Sequence, residues 1–147
     1  MSVQLKQNAD ASLGLQGTDL DEGGFVIVAL PWSAITNTSG AFLTVSGPIM
    51  NRRMIVKAIS YLNDTAASNA VTATLYKAPS ATAIGSGTAL HSSTANLQAT
   101  AGANQSLTLS TTSGVVDVAA GNRIGFVISG TPGAAGVGAF TVTLAPA

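Results

Sequence analysis

Alternation of apolar and polar side chains over short stretches is the feature that most limits what this chain can fold into. Between Val71 and Tyr76 every second residue is apolar and each intervening residue carries a hydroxyl group; 140–144 repeats this pattern, and 124–128 places Ile124, Phe126 and Ile128 on one face. Successive side chains of a pleated strand point to opposite faces, so this period indicates strands with one buried and one wet face. The chain is predicted to be all-β.

A strand that is apolar on both faces precedes Val71. One face is predicted to hold Met54, Val56, Ala58 and Leu62, and the other Ile55, Lys57, Ile59 and Tyr61. Because the polar segment 63–70 separates this strand from the next, we predict a central hairpin over Arg52–Pro79. A second hairpin is predicted from 115–118 and 123–129, with a turn at 119–122.

The other strands are less sharply marked. The run Phe25–Leu30 is apolar on both faces, which predicts a strand covered from two sides and ended by Pro31. Short strands are expected near 41–45, 89 and 106–110, with a turn at Gly47-Pro48 and a helix left open at 94–101. About eight short strands suit a single-domain antiparallel β-sandwich. A jelly-roll fold is favoured over an immunoglobulin fold, because the cysteine and tryptophan spacing of antibody domains is missing.

The chain is predicted to consist of an extended N-terminal arm, residues 1–24, and a β-sandwich domain, residues 25–147. The arm holds four of the six acidic residues and isolated leucines without a continuous apolar face. Such a segment cannot form a core, but it can become ordered along a partner. A frayed terminus is the alternative.

Charge is scarce, at 8% of residues against about 25% in ordinary globular proteins. A surface with so few charges predicts a component of an assembly, whose neighbours cover much of it. The formal net charge of zero argues against nucleic-acid and anionic-membrane partners. The N-terminus lacks the order of a signal peptide and the run at 25–32 is too short to span a bilayer as a helix, so we expect no membrane and no secretion.

Candidates for chemistry are few. His91 is the only histidine, so a Ser-His-Asp triad would require it; a surface or turn histidine is the simpler interpretation. The acids Asp19, Asp21 and Glu22 lie in the arm, where neither a fixed carboxylate pair nor a calcium loop is expected. With no cysteine there is no disulfide or thiolate zinc site. We therefore expect no enzyme, no cofactor and no metal.

Two further groups have both a functional and a structural interpretation. The basic group Arg52, Arg53 and Lys57 could dock an acidic patch on a partner protein, or simply keep a strand edge solvated. The aromatic residues Trp32, Tyr61 and Tyr76 could stack on sugars, although packing in a core or interface is the simpler interpretation.

In size, composition and strand rhythm the whole chain, through the segments 53–77, 115–129 and 140–144, resembles jelly-roll capsid cement, or decoration, proteins of tailed bacteriophages. The resemblance implies a virion protein made in the bacterial host cytoplasm. It would bind the outer surface of an icosahedral capsid and bridge major capsid protein subunits. It would also bind itself, as a homodimer rather than a trimer. The expected partner-binding residues are Leu5, Leu13 and Leu15 of the arm, together with Arg52, Arg53 and Lys57.

The alternative function is that of a receptor- or carbohydrate-binding β-sandwich domain of a phage tail fibre or baseplate. Clustered, exposed aromatic side chains would distinguish it, and the three aromatic residues named above are the candidates.

Overall fold

The computed structural model describes residues 24–33, 36–37, 43–131, 133–134 and 136–147. These residues form twelve strands and one short 3₁₀ helix, Ile84–Ser86. The strands are β1 (Val26–Trp32), β2 (Thr36–Asn37), β3 (Leu43–Ile49), β4 (Met54–Thr65), β5 (Val71–Pro79), β6 (Thr88–Ala89), β7 (Ala95–Asn96), β8 (Asn104–Leu107), β9 (Asp117–Val118), β10 (Asn122–Gly130), β11 (Gly133–Ala134) and β12 (Val137–Pro146). Across these ranges, no helix has the length and apolar character needed to span a bilayer.

The strands form two antiparallel sheets that make a sandwich. The first sheet has the order β1-β12-β4-β8, with β9 also paired to β4; the second has the order β3-β10-β5-β6, with β7 also paired to β5. The short strands β2 and β11 pair only with each other. A jelly roll has eight strand positions. We leave out β2 and β11, count β6 and β7 as one position and β8 and β9 as another, and number the positions 1 to 8 in chain order. The two sheets then have the orders 1-8-3-6 and 2-7-4-5. This is the order of a jelly roll, and the predicted fold class is confirmed.

Both predicted hairpins are wrong. Strand β4 belongs to the first sheet and β5 to the second, so residues 66–70 carry the chain across the sandwich. In the same way β9 pairs with β4, whereas β10 lies at the centre of the second sheet. A short polar link can reverse the chain within one sheet or carry it to a sheet about 10 Å away. Turn-forming residues alone do not distinguish these two cases.

The predicted inward faces of β5, β10 and β12 are confirmed. Their side chains fill the space between the sheets, and all are 4% exposed or less: Val71, Ala73, Leu75, Ile124, Phe126, Ile128, Phe140, Val142 and Leu144. Trp32 and Tyr61 join this core, with ring centroids 5.0 Å and 5.5 Å from that of Phe140. The core-packing interpretation therefore holds for these two aromatic residues.

A bulge changes the phase of β4 in its middle. The pairing with β12 moves from Val56 opposite Leu144 to Ala58 opposite Thr143, which leaves Lys57 as the extra residue. Val56 and Ile59 are consequently both buried, whereas Ala58 is exposed. The faces predicted for 54–62 are correct only before the bulge.

Strand β1 is an edge strand rather than one covered from two sides. Its inward residues Val28, Leu30 and Trp32 are buried, but Phe25 and Ile27 are 62% and 68% exposed. The apolar residues of the outer face therefore do not indicate burial, because no described part of the chain packs against that face of β1.

The remaining local predictions had mixed outcomes. Gly47 and Pro48 lie inside β3 and not in a turn, at the point where its register with β10 shifts. A proline fits there because an edge strand at a bulge does not require every N–H group. Segment 94–101 contains β7 and turns instead of a helix, and the strand expected near 89 is β6.

Candidate protein-docking site

A groove of about 450 Å³ opens at one end of the sandwich. It lies where β1 and β4 begin and where β3 and β12 end. Its lining consists of Gly24, Phe25, Val26, Val28, Pro48, Ile49, Met50, Asn51, Arg52, Met54 and Pro146. Most of these side chains are apolar, so the groove is suited to apolar groups of a partner.

The lining combines buried and exposed apolar side chains. Val28, Met50 and Met54 are buried, whereas Val26 and Ile49 remain 47% and 57% exposed. Methionine is unbranched and polarizable, so it adapts to irregular neighbours and recurs on surfaces that bind apolar ligands. The two buried methionines therefore form an adaptable apolar floor for the groove.

Exposed apolar side chains continue from the groove onto the outer face of β1. Phe25 and Ile27 are largely exposed, and together with Val26 and Ile49 they form what we call the apolar rim. Strand β1 carries no charged residue, and within the described ranges it pairs only with β12. Natural edge strands are commonly protected by charges, so an uncharged edge with exposed apolar side chains is typical of an interface.

Arg52 is the single charged residue of the groove lining, and it is exposed. It follows β3 in the connection that leads to β4. A guanidinium beside an apolar groove supplies a polar anchor for a carboxylate, since its fork of donors matches the two oxygens.

The neighbouring Arg53 forms an ion pair with a residue of its own chain. Its Nε donates to Asp117 Oδ1 at 2.8 Å and to Oδ2 at 3.1 Å, and its Nη2 makes a further short contact with Oδ2. This hydrogen-bonded ion pair lowers the pKa of the Asp117 carboxyl. Arg53 therefore adds an exposed ion pair to the backbone pairing of β9 with the start of β4.

Lys77, in β5 of the second sheet, contacts the same segment of the chain, and we call Arg53, Lys77 and Asp117 the Asp117 cluster. Its Nζ donates to the carbonyl oxygens of Gly114 at 2.6 Å and Asp117 at 2.5 Å. Partial burial lowers the pKa of this ammonium group, and the nearby Asp117 carboxylate opposes that shift. The cluster ties the segment before β9 to both sheets, which is a structural role.

The predicted partner-binding residues are thus separated by the fold. Arg52 lines the groove, Arg53 pairs with Asp117, and Lys57 is exposed at the β4 bulge. The predicted arm contacts Leu5, Leu13 and Leu15 lie outside the described residues.

His91 is a buried structural residue. Its Nε2 accepts the backbone N–H of Leu75 at 3.0 Å, and its Nδ1 lies 2.5 Å from the carbonyl oxygen of Ser93. This arrangement requires the tautomer that is protonated on Nδ1, with both ring nitrogens engaged by backbone. Burial lowers the pKa of the imidazole, partly offset by the Ser93 hydrogen bond. A surface or turn histidine was therefore the wrong interpretation, and among the described residues the ring is hydrogen-bonded to backbone atoms rather than to a serine hydroxyl or a carboxylate.

The described part of the chain also lacks any group of three histidine, aspartate or glutamate side chains placed to hold a metal ion. Sequence reasoning missed the groove and the apolar rim. The signal for them was present in Phe25–Val28 and Pro48–Met50, which are apolar and lack the charges of a protected edge. The first run was interpreted as a strand covered from two sides, and the second was interpreted only through the turn predicted at Gly47-Pro48.

No protein-family model, curated protein or solved structure matches this chain. What the geometry defines is a jelly-roll sandwich with an apolar groove at one end.

Proposed function

We propose that this chain is a structural virion protein, a capsid decoration protein that binds the outer surface of an icosahedral phage capsid. In this role it bridges and stabilises major capsid protein subunits and associates with a second copy of itself. The observation that carries the proposal is the apolar rim on an uncharged edge strand.

Scarcity of charge adds support. A free monomer with only 8% charged residues and exposed Phe25 and Ile27 would tend to associate through that face. Many copies on a repeating shell gain from multivalent contact, so even a small apolar patch suffices for firm attachment. A rigid jelly roll suits this task because its shape does not have to change on binding.

The alternative function, glycan or receptor binding, depended on clustered, exposed aromatic side chains, and two of the three candidates are buried. Trp32 and Tyr61 are 4% exposed and pack inside the core, so of the three aromatic candidates only Tyr76 remains partly accessible. No aromatic platform for a sugar ring is formed by these three residues.

The test is to mix the purified protein with mature empty capsids of the parent phage, sediment the mixture and count bound copies per shell. Saturation at a number comparable to the subunits of the shell supports the proposal. Binding of a few copies indicates a vertex or fibre component, and no binding overturns the proposal and favours the receptor- or carbohydrate-binding alternative.

The contact face is tested with a matched pair of variants. Ile27→Asp places a carboxylate on the apolar rim, whereas Ser113→Asp places the same carboxylate on an exposed turn before β9. We expect Ile27→Asp to reduce the number of bound copies at least tenfold and Ser113→Asp to leave it unchanged. Equal binding of both variants would remove the apolar rim from the contact.

A further inference from the structure

The formal charge of this chain is zero only because two opposite charges cancel. Residues 1–23 hold four acids against one base, a charge of −3, and residues 24–147 hold five bases against two acids, a charge of +3. A segment and a domain of opposite sign attract each other. The acids of the segment are concentrated at its end, as Asp19, Asp21 and Glu22.

The same segment joins the sandwich at the groove. Gly24, the first described residue, belongs to the groove lining together with Arg52. A chain advances at most about 3.5 Å per residue, so covalent connection alone keeps Glu22 and Asp21 within roughly 11 Å of Gly24. The carboxylates are therefore tethered near the only cation of the lining.

Leucines accompany these acids in the sequence. Leu20 immediately precedes Asp21, and Leu13 and Leu15 lie a few residues earlier. The groove offers such side chains an apolar lining of Val26, Ile49, Met50 and Met54, of which Val26 and Ile49 are still half exposed. Burying a leucine side chain in an apolar site is favourable because it removes apolar surface from water.

We propose that residues 1–23 of the chain dock into the groove of their own sandwich, with Leu20 against Met50 and Met54 and with Asp21 and Glu22 at Arg52. A tether of a few residues gives the segment an effective concentration in the millimolar range, which favours its own groove over that of another copy. The docked state is that of the unassembled protein. The inference does not rest on the proposed function, because its test requires no capsid.

The absence of cysteine permits a direct measurement on the full chain. A nitroxide is attached to the thiol of the Gln16→Cys variant, and the three methionines are labelled with ¹³C in their methyl groups. Met50 and Met54 report on the groove. We expect the nitroxide to broaden both signals beyond detection, and reduction of the label to restore them.

A mixture distinguishes the chain's own segment from that of a second copy. Spin-labelled protein with unlabelled methionines is mixed with ¹³C-methionine protein that carries no nitroxide. Broadening beyond detection that occurs only when both labels share one chain, and that Leu20→Ser reduces, supports the proposal, because a segment that is tethered but undocked would broaden the signals equally with or without Leu20. Broadening across copies overturns it in favour of exchange between subunits, and no broadening in either sample overturns docking altogether.

Matched charge reversals test the polar half of the site. Arg52→Glu reverses the groove cation, and Lys57→Glu reverses an exposed cation outside the groove lining. We expect Arg52→Glu to restore at least half of the lost Met50 and Met54 intensity and Lys57→Glu to restore none. An equal effect of the two variants would overturn the assignment of Arg52.

Discussion

The imidazole of His91 and the backbone N–H of Leu75 are joined by a hydrogen bond of 3.0 Å in the interior of the sandwich. His91 lies between β6 and β7 and forms an isolated bridge with Leu109, whereas Leu75 is a fully buried residue of β5. The connection between β5 and β9 contains only strands of two to four residues. The side chain of His91 attaches this connection to the second sheet. The bond exists only while Nε2 is unprotonated.

Acidification should weaken the fold through this residue. Burial lowers the pKa of His91 below its ordinary value of 6.5, so the unfolded chain binds a proton before the folded chain does. The stabilisation of the fold by the neutral imidazole is fully present above pH 6.5, and it is lost as the pH falls through the lower pKa of the folded state. We expect the urea midpoint of unfolding to decrease between about pH 7.5 and about pH 5, a range in which ordinary carboxylates stay ionised.

The control is His91→Gln, which removes the titration. Its urea midpoint should vary less with pH over the same interval. His91→Ala should also cost about 1–3 kcal/mol at neutral pH, because the buried N–H of Leu75 loses its acceptor. If His91→Gln retains the full pH dependence, another group is responsible.

A second prediction concerns the packing of Trp32 on Gly138. A Cβ atom at residue 138 would lie 2.5 Å from the indole ring and 2.2 Å from the carbonyl oxygen of Leu62. Gly138→Ala must therefore displace the ring or the backbone, at a cost of about 1–3 kcal/mol or more. The chain contains one tryptophan, so its fluorescence should shift to longer wavelength. Gly85→Ala is the control for loss of a glycine, because residue 85 has no positive φ and a Cβ there would meet only a methyl group of Val127, at 3.3 Å.

Truncations in the core form a third prediction. Ile124→Ala and Leu144→Ala should each cost about 2–5 kcal/mol and Phe126→Ala about 3–5 kcal/mol, since all three side chains are fully buried. Thr143→Ala, on the outer face beside Leu144, should cost far less. Chemical denaturation measures these differences, and comparable losses for Thr143 and Leu144 would contradict the assigned faces.

A fourth prediction separates the two cations of the Asp117 cluster. Lys77→Met leaves the carbonyl oxygens of Gly114 and Asp117 without their ammonium donor, so amide hydrogen exchange in 114–118 should accelerate. Arg53→Ala removes an exposed ion pair and should have a smaller effect, which salt diminishes further. Lys57→Met serves as the control for removal of an exposed lysine, and exchange in 114–118 should not change in it.

The sequence predicted those parts of the fold that depend on a single strand. Alternation assigned the inward faces of β5, β10 and β12 correctly, because each strand is regular where its inward residues lie. It failed in β4, where one extra residue at Lys57 inverts the faces. It also failed for the hairpins, because pairing in a jelly roll joins residues as distant as Val26 and Leu144. No local pattern encodes such partners.

Much less of the candidate site was predictable. Arg52 was chosen for its charge, and it does line the groove, but the companions chosen with it, Arg53 and Lys57, have other surroundings. The groove itself depends on the ends of four strands meeting at one end of the sandwich. Whether Phe25 and Ile27 face a core or solvent depends on where β1 lies in its sheet, which composition does not determine.

The strand order also bears on how the chain reaches its native state. The strand at the centre of each sheet comes late in the sequence: β10 separates β3 from β5, and β12 separates β1 from β4. During synthesis, four long strands therefore emerge before the partners that join them. Contacts between residues so far apart are intrinsically slow to form and expose unpaired edges meanwhile. Neither sheet can be completed until residues 122–147 have emerged, so a ribosome-stalled fragment that ends before residue 122 should remain protease-sensitive.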